Sequence, residues 1–271
     1  MQYKTIQGID VPEIGLGTHK LHDRECAKVV RMALDLGYRH IDTAQMYKNE
    51  REVGEALKIS NVPRDDIFLT TKIWHTNLDS EDVLQSTEQS LRNLDTPYVD
   101  LLLIHWPNDQ YDLRKTIESM LILRDQGKAV NIGVSNFPLD LLKKVNDDIR
   151  APIFCNQVEY HPYLDQLDLL DYAIEKDILL TAYSPLAQGD VIQDEDLIQM
   201  AKKYEKSPAQ IALRWLIEQE NVVAIPKASS REHLEANIDI FDFYLEDEDF
   251  DKIDNLNKSK RLVNPSFAPR W

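Results

Sequence analysis

The stretch HIDTAQMY, residues 40–47, places a carboxylate, Asp42, and a phenol, Tyr47, where an apolar run gives way to a polar loop. Two later apolar runs end on groups that could work with them: IFLTTK ends on Lys72 and VDLLLIH on His105. A phenol titrates near ~10, so releasing its proton readily at neutral pH takes about three pH units of help, or roughly 4 kcal/mol. An ammonium ~4 Å away supplies about that much at an effective dielectric near ~20. Lys72 beside Tyr47 would make a general acid. Asp42 would hold and orient the lysine while partly offsetting its field, and His105 would donate a hydrogen bond to the oxygen that takes the proton.

A carbonyl is the natural acceptor for such a proton, and the hydride that must accompany it can come from no side chain, so a nicotinamide cofactor is implied. The usual dinucleotide fingerprint is missing, because GLGTHK has Gly15 and Gly17 but Lys20 where a third glycine belongs. A different grip is legible. Ser135, Asn136 and Gln157 could hold a flat amide that stacks on Tyr183. Lys227 stands just before a helix start around Ser229 and Ser230, and a lysine beside a helix N-terminus is an anion site. The bland alternative there is a capping box between Ser229 and Glu232 that binds nothing.

Each of these residues alone has an ordinary structural explanation: a turn-capping aspartate, a solvated lysine, a core histidine. Their common position is what needs explaining, and it directs attention to the elements. The chain alternates short apolar runs, polar turns and amphipathic stretches of helical period. Eight candidate strands follow in order: EIGLGT, HIDTA, IFLTTKI, VDLLLIHW, VNIGVSN, IFCNQVEY, ILLTAYS and VVAIPKA. Eight is the number of a (β/α)8 barrel, which takes about 250 residues and carries its chemistry at the C-terminal ends of its strands. The polar residues above fall at those ends. In SEDVLQSTEQSLRNL, the positions Leu84, Thr87, Leu91 and Leu94 mark an inward helix face. Ser207-Pro208-Ala209-Gln210 reads as a capped helix start. The opening YKTIQGIDVPEIG is expected to form a hairpin plugging the barrel bottom, and a helix and irregular tail are expected after the eighth unit. Nothing in the composition divides residues 1–271, so a single domain is expected.

With 47 acidic and 31 basic residues the net charge is −16, which argues against nucleic acid or an anionic membrane as a partner. No segment approaches the ~20 apolar residues of a membrane span, and the start carries no apolar export signal, so a cytoplasmic protein is expected. The two cysteines, Cys26 and Cys155, are too few for a disulfide framework or a four-ligand metal site.

HIDTAQMYKNEREVGEAL, TKIW, VDLLLIHWP, IGVSNF, NQVEYHPYL, AYSPLA and IPKASS together resemble the aldo-keto reductase family, in order and across most of the chain. The resemblance implies a (β/α)8 barrel, NADPH as hydride donor, a monomer, and a catalytic tetrad at Asp42, Tyr47, Lys72 and His105. It places Ser135, Asn136, Gln157 and Tyr183 at the nicotinamide, Ser184, Leu186 and Asp190 at the pyrophosphate and Lys227 at the 2′-phosphate, with Ile225, Ser229, His233 and Asn237 as further cofactor-binding residues. The tail RLVNPSFAPRW is most similar to small bacterial members that reduce diketogluconate or methylglyoxal-type carbonyls. This chain departs from the family pattern with His19 in place of an aromatic residue, Ala228 in place of a serine, His233 in place of an arginine, and Ala236 in place of an acid. A histidine grips a 2′-phosphate less firmly than an arginine fork, so NADPH preference with measurable NADH use is expected. Short loops after the fourth and seventh strands suggest an open mouth walled by His19, Trp74, Trp106 and Trp271, suited to small carbonyls. Two rivals remain: a Schiff-base lysine at Lys72, and a catalytically silent NADP(H)-binding barrel acting as a redox sensor or subunit.

Overall fold

The computed structural model describes residues 1–271. An antiparallel hairpin, β1 (Tyr3–Ile6) and β2 (Ile9–Pro12), precedes the barrel. The barrel strands are β3 (Leu16–Gly17), β4 (His40–Asp42), β5 (Phe68–Ile73), β6 (Val99–Ile104), β7 (Ala129–Ser135), β8 (Ile153–Glu159), β9 (Leu179–Tyr183) and β10 (Val222–Ala224). They form one parallel sheet in sequence order. Its two edges meet where Ile14 bridges Ala224 and where the Gly15 and Gly17 amides donate to the Ala224 and Pro226 carbonyls. The expected (β/α)8 barrel is therefore observed. Its first and last strands are shorter than the apolar runs EIGLGT and VVAIPKA suggest. Glycine is required at the seam: a Cβ on Gly17 would lie 2.8 Å from the Ile225 carbonyl oxygen.

The helices are α1 (Asp23–Asp35), α2 (Glu50–Ile59), α3 (Ser80–Leu94), α4 (Leu113–Asp125), α5 (Leu139–Lys143), α6 (Leu167–Glu175), α7 (Glu195–Tyr204), α8 (Pro208–Glu218), α9 (Arg231–Ile238) and α10 (Asp247–Asp254). On α3 the inward stripe is Val83, Thr87, Ser90, Leu91 and Leu94, and Leu84 is only half-buried; the face is rotated by one residue from the expected one. Ser207 and Gln210 make the reciprocal capping box that opens α8. Ser207→Ala should cost about 1 kcal/mol, visible as a melting midpoint lower by roughly 2–4 °C.

The barrel interior is packed at its base. Ile6 and Val11 of the hairpin join Phe68, Leu101, Leu103, Phe154, Leu179 and Val223 in one apolar cluster, so the hairpin plugs the bottom as the sequence suggests. Because side chains alternate along a strand, the inward set continues upward through Asp42, Lys72, Gln157 and Tyr183. Apolar residues thus fill the floor and polar ones reach the mouth.

Candidate active site

The structure brings Asp42, Tyr47, Lys72 and His105 together at the C-terminal mouth. Lys72 is fully buried, and its Nζ donates to Asp42 Oδ1 at 2.5 Å, to the Thr43 carbonyl at 3.0 Å and to the Tyr47 hydroxyl at 3.3 Å. Tyr47 ends a 3-10 turn, Gln45–Tyr47, whose position is set by residues that the sequence did not single out. Thr43 donates to Asn49, Asn49 donates to the Thr18 and Leu21 carbonyls, and Gln45 Oε1 accepts from the Trp74 amide. The loop is thereby held against the ends of β4 and β5.

Burial pulls the Lys72 ammonium down, but Asp42 and Tyr47 more than offset it and the net direction is upward. The lysine is a cation here, which disfavours the Schiff-base rival, since that chemistry needs a neutral amine. Burial also pushes the Tyr47 phenol up, and the opposing field of Lys72 does not fully cancel that push. The lysine therefore does less than its charge alone predicts, because placing a phenolate in a desolvated site has a cost that its field does not cover. The phenol rests fully protonated, with an ammonium placed to stabilise the charge left when its proton departs.

His105 lies just past β6 and is buried; burial first, then the Lys72 charge, drives its imidazole well below the usual histidine range. A neutral ring has one N–H to donate. That ring stands edge-on to Tyr47 and Trp74, with centroids 5.6 and 5.2 Å away. The His19 ring lies 5.0 Å from the Tyr47 ring.

Beside the tetrad lies a polar shelf. Tyr183 donates to Asn136 Oδ1 at 2.7 Å, and Asn136 Nδ2 donates to the His105 carbonyl and to Ser135 Oγ. Ser135 in turn donates to the Gln157 carbonyl. Asn136 and Ser184 adopt left-handed backbone, φ +62° and +49°, which turns the chain at two strand ends. Gln157 is not wholly free for a ligand: its Nε2 donates to Asp42 Oδ2 at 2.7 Å, tying shelf to tetrad.

Ser184 and Leu186 follow β9 and Ile225 follows β10, all on one side of the mouth. Past β9 comes a 3-10 stretch, Ala187–Gln193, before α7, so that connection is longer than expected. Within it Asp190 pairs with Lys260 of the tail at 2.6 Å. Beyond β10, Lys227 and Ser229 are exposed ahead of α9. The cap of α9 is Ser230, whose hydroxyl accepts from the His233 amide, so the Ser229–Glu232 capping box does not form. His233 is exposed on the first turn of α9, and Asn237 is buried one turn on.

The tail crosses the mouth, which is less open than loop lengths suggest. Phe267 stacks on His75, centroids 4.1 Å apart, and meets Trp74 and Trp106 edge-on. Trp271 stands edge-on to Trp106 at 6.2 Å. Trp74, Trp106 and Trp271 thus share one aromatic cluster with Phe267 and His75. A cavity of about 1070 Å³ lies on the far side of the tail, lined by residues including His75, Asn108, Arg114, Phe267 and Arg270, and includes no tetrad residue.

A parallel barrel with its buried polar cluster at this mouth defines an α/β enzyme architecture, and similarity to known proteins gives its family. The profile of the Aldo/keto reductase family matches residues 13–258, and the chain belongs to that family. It is 43% identical over 261 residues to the glyoxal reductase of Bacillus subtilis, covering 96% of this chain and 94% of that one. It is 40% identical over 265 residues to the methylglyoxal reductase DkgB of Escherichia coli O157:H7, covering 96% of this chain and 99% of the relative. The crystal structure of a putative 2,5-diketo-D-gluconic acid reductase B superposes with a TM-score of 0.97 at 40% identity, covering 100% of this chain and 97% of that one. The protein is a carbonyl-reducing oxidoreductase. No helix is long and apolar enough to cross a membrane.

Proposed function

We propose that this protein reduces small aldehydes and ketones to alcohols with NADPH, using Tyr47 as proton donor. The observation that carries the reading is the buried Lys72 ammonium, 2.5 Å from Asp42 and 3.3 Å from the Tyr47 hydroxyl. The relatives named for glyoxal and methylglyoxal reduction support small 2-oxoaldehydes as the first substrates to try.

The residues fit the cofactor. Gln157 Oε1 has no partner within the protein, Tyr183 is held to Asn136 by a hydrogen bond, and Lys227 is exposed before a helix whose first amides are only partly capped. Ser135, Asn136 and Gln157 would hold the carboxamide, and Tyr183 would carry the ring face. Ser184, Leu186 and Asp190 would line the diphosphate, and Lys227, Ser229, His233 and Asn237 the adenosine end, with Ile225 beneath. When bound, the cofactor supplies the hydride.

The chain's own residues do the rest. His105 and Tyr47 position the carbonyl oxygen, His105 by N–H donation. Tyr47 passes its proton to that oxygen as negative charge develops there, and Lys72 stabilises the tyrosinate. Asp42 keeps Lys72 in place, and Gln157 keeps Asp42 in place. The aromatic walls exclude water and so strengthen these electrostatic effects. NADPH oxidation in the presence of methylglyoxal, followed by absorbance, tests the reading; cofactor binding without turnover across a broad carbonyl panel would favour the silent-sensor alternative.

At the adenosine end, Lys227→Ala should weaken NADPH binding by roughly 10-fold or more, the scale of one charge-assisted contact, and leave NADH nearly unaffected. Titrating both cofactors by fluorescence quenching checks this. Equal weakening of the two would remove Lys227 from the 2′-phosphate.

A further inference from the structure

Arg261 is unlike the other partly buried arginines of this chain. Arg64 donates to the Ile67 and Tyr98 carbonyls and pairs with Asp100, and Arg214 pairs with Glu218. Arg261 donates no hydrogen bond and joins no ion pair, although its Nη1 is buried. It stacks on the Trp271 ring, whose centroid lies 3.5 Å from the guanidinium carbon, and it lies within the field of the Glu159 carboxylate. A buried N–H group without an acceptor is costly, and a native fold keeps few of them.

Its location is fixed from both sides. The amides of Leu262 and Val263 donate to the buried Glu159 carboxylate at 2.7 and 2.9 Å, and Lys260 is tied to Asp190. Glu159 ends β8 directly beside Tyr183 in the sheet register, so the tail backbone at Arg261 is pinned above the shelf. Glu159 does not neutralise Arg261 by contact: its oxygens are taken up by the two amides and by His161 Nε2 at 3.0 Å. Across Trp271 stands Trp106, a wall of the substrate side. The guanidinium is therefore clamped between the shelf and that wall, with its donors unused.

We propose that Arg261 is a specificity-determining residue that holds a carboxylate on the substrate, so that the preferred carbonyl compounds carry an acid group. A planar fork of N–H donors suits a carboxylate, and stacking on Trp271 holds the fork in one orientation, so little entropy is lost when the anion arrives. The diphosphate of the cofactor is the other anion within the mouth. The substrate is favoured because Arg261 packs against Trp271 and, through it, Trp106. The proposal rests on the carbonyl-reductase reading above.

The test uses the full chain with NADPH and a matched pair of aldehydes, succinic semialdehyde and butanal, which differ by the carboxylate. Wild type should favour the acid in kcat/KM. In Arg261→Met the ratio of acid to neutral kcat/KM should fall by roughly 10- to 100-fold, the range of a charge-assisted contact. The loss should appear mainly in KM, and Arg261→Lys should recover part of it. NADPH affinity, measured by fluorescence quenching, should not change. An unaltered ratio overturns the proposal. So does a comparable loss of NADPH affinity, which would assign Arg261 to the diphosphate. Absence of turnover by wild type with either aldehyde or with methylglyoxal would overturn the reductase reading itself and this proposal with it.

Discussion

Tyr47→Phe should lower the rate of carbonyl reduction by roughly 10³-fold, within the range expected when a positioned general acid is removed. NADPH affinity should stay within about twofold, because the proposed cofactor contacts do not include the phenol oxygen. The ring is retained, so its packing against His19 and His105 should survive and the variant should fold normally. Single-turnover reduction of methylglyoxal, with NADPH binding measured in parallel, is the direct check. Retention of most of the wild-type turnover would take Tyr47 out of its role. A pH dependence accompanies this result. The Tyr47 phenol is pushed above its ordinary value, first by burial, so it keeps its proton through the neutral and mildly alkaline range. Loss of reduction through ionisation of this tyrosine should therefore begin only above about pH 10. A decline starting near neutrality would show that the Lys72 field outweighs burial.

Lys72→Met should have the largest combined effect, on turnover and on stability together. The ammonium is fully buried and bonds to Asp42, the Thr43 carbonyl and Tyr47. Methionine fills much of the same space but leaves the Asp42 carboxylate buried with Gln157 as its remaining polar side-chain partner. Removing one member of a buried ion pair costs about 3–5 kcal/mol, which corresponds to a melting midpoint lower by roughly 6–20 °C. Reduction should collapse as well, because nothing then stabilises the tyrosinate. Adding Asp42→Asn should restore part of the lost stability, since no unpaired carboxylate remains buried, yet should restore no turnover. Thermal melts and NADPH-linked assays on wild type, both single variants and the double variant separate the two effects. A Lys72→Met protein that melts with wild type would mean that Asp42 takes up a proton or finds another partner at little cost.

Much of this architecture was legible in the chain. Parallel barrel strands are buried on both faces, so VDLLLIH and IFLTTKI stand out as apolar runs, and the polar residue closing each lands at one rim by topology alone. Asp42, Lys72 and His105 could be assigned to that rim for this reason. Tyr47 could be added from its distance along the loop. The acidity of the phenol was only half legible: the lysine's sign could be read, but burial, which wins, depends on what surrounds the ring. Similarly, the Ser-Pro-Ala-Gln signal at Ser207 is enough to locate a cap, whereas at α9 two adjacent serines compete and only the backbone conformation selects Ser230.

The tail defines the limit. RLVNPSFAPRW has no period, so nothing local says where it goes. Its course is set by contacts with residues far away in sequence: Leu262 and Val263 on Glu159, Lys260 on Asp190, Phe267 on His75. The sequence by itself determined the barrel, the rim and the residues able to move a proton there, because hydrophobic periodicity and strand ends are local properties. Tertiary structure decided which of those residues touch, which are desolvated, and that Arg261 stacks on Trp271 with a buried N–H group lacking an acceptor. Those outcomes depend on distances between segments that no local pattern encodes.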